Sequence, residues 1–345
     1  MRAELPGLNP ERVLCLMRDA VESCGLRLDD MVIVTEAATG AYAVTPVLAA
    51  MAGARKVFAI SRSSRYGTAE EAADAIEGLA GPGGVKERIE FVTGRSRDLV
   101  SRADIITNSG HVRPISAEMI SWMKPTAVIP LMYEAWEFRK EDVDMAACRE
   151  RGIAVAGTNE RHPMIDTFSF LGGMAVKLLM DAGIAVYSSS ILLLCDNPFA
   201  SFIERGLVAA GADVEMSGSM PERGKDGGYD AVLCALQPRS KPVLAGKEAE
   251  ELADRWPGAV FVQFFGDVDR QAFLSSGVPV WPLEAPARGC MGILPSDIGP
   301  KPVIRLQTGG LKVGEELCRN RLAGASAAAC EEQMANSVWG QRLEV

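Results

Sequence analysis

The stretch from Met31 to Tyr66, MVIVTEAATGAYAVTPVLAAMAGARKVFAISRSSRY, limits the fold more than any other part of the chain. Met31 to Thr35 is apolar and rich in β-branched residues, Glu36 to Gly40 is small and turn-like, and Ala41 to Ala52 carries apolar residues at helical spacing before Gly53 ends it. Lys56 to Ile60 gives a second strand. Parallel neighbours need a crossover connection, so a short helix between two strands implies a βαβ unit and a parallel sheet. Such sheets bind ligands outside the carboxyl ends of their strands, which puts the loops Glu36 to Tyr42 and Ser61 to Gly67 first among candidate sites.

The pattern continues along the chain. Glu11 to Cys24 reads as a helix closed by Gly25, Ala69 to Leu79 as a helix broken by the GPGG at 81–84, and Ile89 to Thr93 as a third strand. Strands follow at Asp104 to Asn108, Ala127 to Met132 and Ile153 to Ala156, with helices at Ile115 to Met123 and Asp142 to Arg151. This predicts a complete doubly wound domain over residues 1–163. Ile165 to Ile184 reads as a long apolar connecting helix in which Gly172 and Gly173 permit close packing. A second α/β domain, on the substrate side, is expected over 164–345, with strands at Ile191 to Cys195, Asp213 to Met216, Ala231 to Leu236, Val260 to Phe264 and Val278 to Trp281. Residues 285–314 are dense in Gly and Pro and read as an irregular functional loop, and a last helix near 315–337 is expected to return to the first domain. The fold class is therefore α/β, with two doubly wound, Rossmann-like domains and a cleft between them.

Composition narrows the partners. With 36 basic and 45 acidic residues the formal charge is -9 and there is no basic run, so nucleic acid and anionic membrane are poor partners and a small molecule is expected. Eight cysteines include no CxxC pair, and several lie inside apolar runs, as reduced thiols do, which points to the cytoplasm. No apolar run of about 18 residues predicts a membrane span. A homo-oligomer, most simply a dimer, is expected.

The turn EAATGAY lacks GxGxxG and keeps only Gly40 among small neighbours that include Thr39. It is either an anion site at a helix amino terminus or a tight turn in an α/β core. After the second strand, where a dinucleotide domain usually carries an acid for the ribose, stand Ser61, Arg62, Ser63, Ser64 and Arg65. Two arginines with hydroxyls suit a 2'-phosphate, so NADP(H) is expected, with NAD(H) the alternative; a solvated basic loop is the plain reading. Both histidines of the chain, His111 and His162, fall in loops at the ends of strands four and six, the ligand-binding edge, and are candidate proton donors. Glu134, Glu137 and Glu160 share that rim, and Arg113, Arg161 and Arg288 are candidate anchors for an anionic substrate. In the second domain Asp196, Asn197, Gln237, Asp267 and Glu284 end strands, where an Asp is also a common helix cap. Cys290 beside Arg288 is a lone thiol. No His or Cys pair has metal-ligand spacing, so no metal is expected.

The segment Ala103 to Gly157, with MKPTA at 123–127, resembles the second half of the dinucleotide domain of the D-2-hydroxyacid dehydrogenases. S-adenosylhomocysteine hydrolase and the methylene-tetrahydrofolate dehydrogenases are similar in the same place, with a small-residue turn where this chain has Asn108, Ser109 and Gly110. The resemblance implies that these three residues contact the nicotinamide side of a cofactor. It departs at Glu134, where the hydroxyacid enzymes place a substrate-binding arginine, and in domain order. The expected activity is an NADP(H)-dependent oxidoreductase acting on a small carbonyl, imine or hydroxy compound, with His162, His111, Glu134 and Asp196 as catalytic candidates. The alternatives are a lyase or hydrolase that retains NAD, an S-adenosylmethionine-dependent methyltransferase, and a nucleotide-binding protein without catalysis.

Overall fold

The structure, a computed structural model, describes residues 5–64 and 67–343. The chain divides into two compact units. One comprises the chain before Phe168 together with the chain after Ile298, and the other is Phe168–Ile298.

The first unit is built on six parallel strands: β1 (Val32–Glu36), β2 (Lys56–Ile60), β3 (Ile89–Val92), β4 (Ile105–Ile106), β5 (Val128–Pro130) and β6 (Ala154–Thr158). Their spatial order is 3-2-1-4-5-6, that of a dinucleotide-binding sheet. Alternate residues of β1 enter different cores. Val32 and Val34 pack with Phe58, Ile60 and Ile106, whereas Ile33 packs with Val57, Ala59 and Ile105. Both faces are thus covered, which is why β1 is buried at every position and its sequence is continuously apolar up to Thr35. β4 is shorter than the pattern DIITN suggests: the Thr107 N–H still donates to the Val34 carbonyl (3.0 Å), and the chain then turns into the loop that carries the site.

The second unit holds β7 (Ser190–Leu194), β8 (Asp213–Ser217), β9 (Ala231–Ala235), β10 (Val260–Phe265) and β11 (Val280–Trp281), all parallel. Numbered within the unit, their order is 2-1-3-4-5, the other common doubly wound arrangement. The long connecting helix read from the sequence is a short 3-10 turn, Phe168–Phe170, followed by a helix at Leu171–Asp181 only. Its Gly172 meets Gly206 of the helix Ala200–Ala209: a Cβ on Gly172 would stand 2.7 Å from the Gly206 Cα, whereas Gly173 faces open space.

After Ile298 the chain adds two helices and a last strand, β12 (Gly340–Gln341), which pairs antiparallel with β6. The Gly/Pro stretch is irregular only up to Gly299. From Pro300 it becomes a 23-residue helix, Pro300–Leu322. Pro300 and Pro302 sit in the first turn, where a missing N–H costs nothing. Gly309, Gly310 and Gly314 let the helix backbone close on Ile165, Met132 and Ile105, at distances where a Cβ would clash. The single helix expected near 315–337 is broken after Leu322; Ser326 caps a separate helix, Ala327–Asn336.

Candidate functional site

In a sheet ordered 3-2-1-4-5-6 the strand order reverses between β1 and β4, and the crevice outside their carboxyl ends is where a ligand binds. Glu36 is the last residue of β1. The chain then turns through Gly40, whose φ of 62° only glycine adopts freely, into the helix Val44–Met51. Among the described residues no atom lies within 4 Å of where a Cβ on Gly40 would stand. The loop after β2 folds across this turn, because a Cβ on Gly67 would lie 2.8 Å from Thr39 Cγ2. Ser61 and Ser63 are used within that loop: Ser61 Oγ donates to the Ala69 carbonyl (3.1 Å), and the Ala69 N–H donates to Ser63 Oγ (3.1 Å). Arg62 is exposed and close enough to His111 to lower its imidazole pKa, although burial is the larger cause. Arg65 lies outside the described residues.

The loop after β4 carries most of the polar chemistry. Thr107 Oγ1 donates to Thr35 Oγ1 (2.9 Å) and shares a hydrogen bond with Ser109 Oγ (2.7 Å), which ties the ends of β1 and β4. Asn108 is buried. Its Oδ1 accepts the Met132 N–H (2.8 Å), while its Nδ2 has no acceptor among the described residues. Gly110, at φ 26°, lies against the Glu36 carboxyl, which also accepts the His111 backbone N–H. Burial raises the Glu36 pKa and Arg113 opposes it. Arg113 is itself paired with Asp142 (3.0 Å), which also accepts the Tyr133 hydroxyl (2.9 Å).

Beyond β5 and β6 stand Glu134, Glu137 and Glu160. Glu134 is fully buried and accepts from Trp136 Nε1 (2.7 Å), Arg161 Nε (3.2 Å) and Gln341 Nε2 (3.1 Å). Glu137 and Glu160 share a hydrogen bond; burial and then the Glu134 charge push Glu137 up to about 7. Glu160, which accepts the Thr167 hydroxyl, is also raised, by burial and then by Glu137. Two carboxyls that cannot both ionise cheaply hold a proton near neutral pH. His162 stacks on Trp339 (3.8 Å between centroids), and its Nδ1 accepts the Met164 N–H (3.1 Å), so the neutral ring carries its proton on Nε2. Burial lowers its pKa.

His111 and His162 have no common partner among these contacts: the first belongs with Glu36 and Arg62, the second with Trp339. Asp196 lies in the second unit, where it accepts the Gln237 N–H (2.7 Å) and pairs with Arg239 (2.9 Å), and so braces two loops. Asp267 does the same for Gly289 and Arg288. Among the described residues no group of three or more His, Cys, Asp or Glu side chains could hold a metal, and no helix is long and apolar enough to cross a membrane. Sequence reasoning passed over Glu36 as part of a turn, although a glutamate closing an apolar strand at the switch point was a visible signal. It placed Glu137 and Glu160 on the rim but not together.

No protein-family model matches the chain, and no curated protein matches it. Solved structures do. A dipicolinate synthase from Bacillus subtilis matches with TM-score 0.52 at 12% identity over 87% of this chain and 98% of its own. Its counterpart from Bacillus halodurans gives 0.50 at 11% identity over 82% and 96%. The chain has their two-domain Rossmann fold. A 3-phosphoglycerate dehydrogenase of Entamoeba histolytica, solved with NAD+ bound, matches with TM-score 0.42 at 10% identity over 86% and 97%. The two dipicolinate synthases carry the comparison. At these identities they speak to the fold, and the site must argue for the chemistry.

Proposed function

We propose that the protein is an oxidoreductase that binds a nicotinamide dinucleotide, in its phosphorylated form NADP(H), on the first unit and acts on a small carbonyl, imine or hydroxy compound. The observation that carries this reading is the buried Asn108 Nδ2 donor, which has no acceptor among the described residues, at the β1–β4 switch point. A buried amide donor costs free energy unless something accepts from it, and a bound ligand would supply that acceptor. The turn at Thr39 and Gly40, after β1, suits the pyrophosphate, and Asn108, Ser109 and Gly110 suit the nicotinamide side. Arg62, with Arg65, suits a 2'-phosphate where an acid would suit an unphosphorylated ribose. When bound, the nicotinamide supplies or accepts a hydride.

The chain must then hold the accompanying proton. The Glu137–Glu160 pair does this best, because Glu137 titrates at about 7 and so gives or takes a proton at neutral pH. His162 keeps an Nε2–H as a second donor. Glu134, enclosed and bonded to three donors, acts as a brace that keeps Arg161 and Gln341 in place.

Thermal-shift titration against NADPH, NADH, S-adenosylmethionine and S-adenosylhomocysteine tests the reading, since a ligand specific to the folded state raises Tm by mass action. NADPH should raise Tm most, and replacing Arg62 and Arg65 together by Ala should weaken NADPH at least about tenfold while leaving NADH nearly unchanged. A response to the S-adenosyl compounds alone would replace the oxidoreductase by the methyltransferase reading.

A further inference from the structure

The crevice between the ends of β1 and β4 is the place where a dinucleotide crosses a sheet of this order. Here it contains a carboxyl group. Glu36 ends β1 and lies against Gly110 in the loop after β4, so closely that a Cβ on Gly110 would stand 1.5 Å from Oε2 and 2.6 Å from Cδ. The His111 N–H is its backbone donor. The groups around it are few. Arg113, on the same loop, acts on it electrostatically but is bonded to Asp142. The His111 imidazole stands near Arg62 of the loop after β2. Thr35 and Ser109 flank it and are neutral, bonded to each other and to Thr107. Among the described residues Glu36 therefore has no dedicated cation, and only 9% of its surface is exposed.

A buried carboxylate in this position opposes a phosphate anion entering the same crevice, whereas the neutral acid opposes nothing and can donate a hydrogen bond. We infer that Glu36 is the proton-linking residue of this crevice: an anionic dinucleotide binds the form of the protein in which Glu36 is protonated, and binding takes up a proton there. The inference rests on the cofactor reading above. Burial already favours the acid form in the free protein, so the uptake falls in the pH range where the free carboxyl has begun to ionise. Burial and then Arg62 hold the His111 imidazole below the ordinary histidine value, so it does not contribute on the alkaline side.

The test uses the full chain and NADPH as probe. Isothermal titration in two buffers of different ionisation enthalpy, from about pH 6 to pH 9, reads both affinity and protons taken up. Wild type should take up close to one proton on the alkaline side, with affinity falling about tenfold per pH unit there. Glu36→Gln, the neutral isostere, should lose the alkaline fall in affinity and the proton uptake that goes with it, and at alkaline pH should bind about tenfold or more tightly than wild type. Binding by Glu36→Gln alone would also support the inference, as the extreme case of exclusion by the ionised group. Wild-type NADPH binding that is independent of pH and takes up no proton would overturn the inference and leave the cofactor reading intact. Absence of NADPH binding by either protein at every pH would overturn both. The two-buffer measurement on wild type decides the matter even where Glu36→Gln does not fold.

Discussion

Gly110 and Glu36 are locked together: a single methyl group on the Gly110 Cα would stand 1.5 Å from a carboxyl oxygen of Glu36. Gly110→Ala must therefore displace either the loop after β4 or the glutamate, and it also strains a backbone at φ 26°. The expected loss is about 2 kcal/mol or more. Adding Glu36→Ala should restore part of that loss, because the clash partner is gone. Denaturant melts of the two single variants and the double variant measure this coupling. Purely additive losses would show that the two residues do not confront each other.

The Glu137–Glu160 pair makes stability depend on pH in a definite direction. Glu137 is held at about 7 in the folded protein against 4.5 for the free group, so the folded state binds more protons within that window. The contribution is complete below about pH 4.5 and is lost as the pH rises through about 7. Glu137→Gln should be more stable than wild type above pH 7, by about 1 kcal/mol once coupling to Glu160 is discounted, and the advantage should vanish below about pH 4.5. Thermal melts across that range give the answer. A variant equally stable at every pH would mean that the two carboxyls are independent and hydrated.

The parallel sheets were legible because each strand is a short apolar run rich in β-branched residues, and the turn after β1 was legible from its small residues. The helix Pro300–Leu322 was not. Proline and glycine usually mark loops, and nothing local says that Pro300 and Pro302 occupy a first turn or that Gly310 and Gly314 are pressed against Met132 and Ile105. The site was legible to the same degree. The loops after β4, β5 and β6 could be placed at one sheet edge from strand order. That Glu137 bonds Glu160 and that Gly110 rests on Glu36 depends on contacts between loops of neighbouring strands, which have no local pattern.

Two adjacent glycines should respond oppositely to the same substitution. In Gly172→Ala the new Cβ would meet backbone atoms, the Gly206 Cα at 2.7 Å and the Phe202 carbonyl oxygen at 2.8 Å, and neither can rotate away. The helices Leu171–Asp181 and Ala200–Ala209 would have to separate, at a cost of about 2 kcal/mol or more. Gly173→Ala meets nothing within 4 Å and should raise stability by about 0.5–1 kcal/mol through helix propensity. Paired chemical denaturation curves separate the two effects, and a similar shift for both variants would be inconsistent with the glycine contact.

Glu134→Gln separates the brace from the proton pair. The substitution keeps the size but removes the charge that Arg161 faces at 3.2 Å, and it turns one acceptor into a donor among the donors Trp136, Arg161 and Gln341. Arg161 is half exposed and can rehydrate, so the loss of stability should be near 2 kcal/mol rather than that of a fully enclosed pair. The second effect has the opposite character. Burial is the first cause of the raised Glu137 pKa and the Glu134 charge the next, and the same charge also raises Glu160. In Glu134→Gln both carboxyls should titrate lower, with Glu137 below about 7 but still above 4.5 because burial remains. Carboxyl-carbon NMR titration of wild type and variant reads this directly. A Glu137 midpoint that does not move would mean that the Glu134 charge is fully neutralised by its three donors, and that burial alone holds the pair near neutrality.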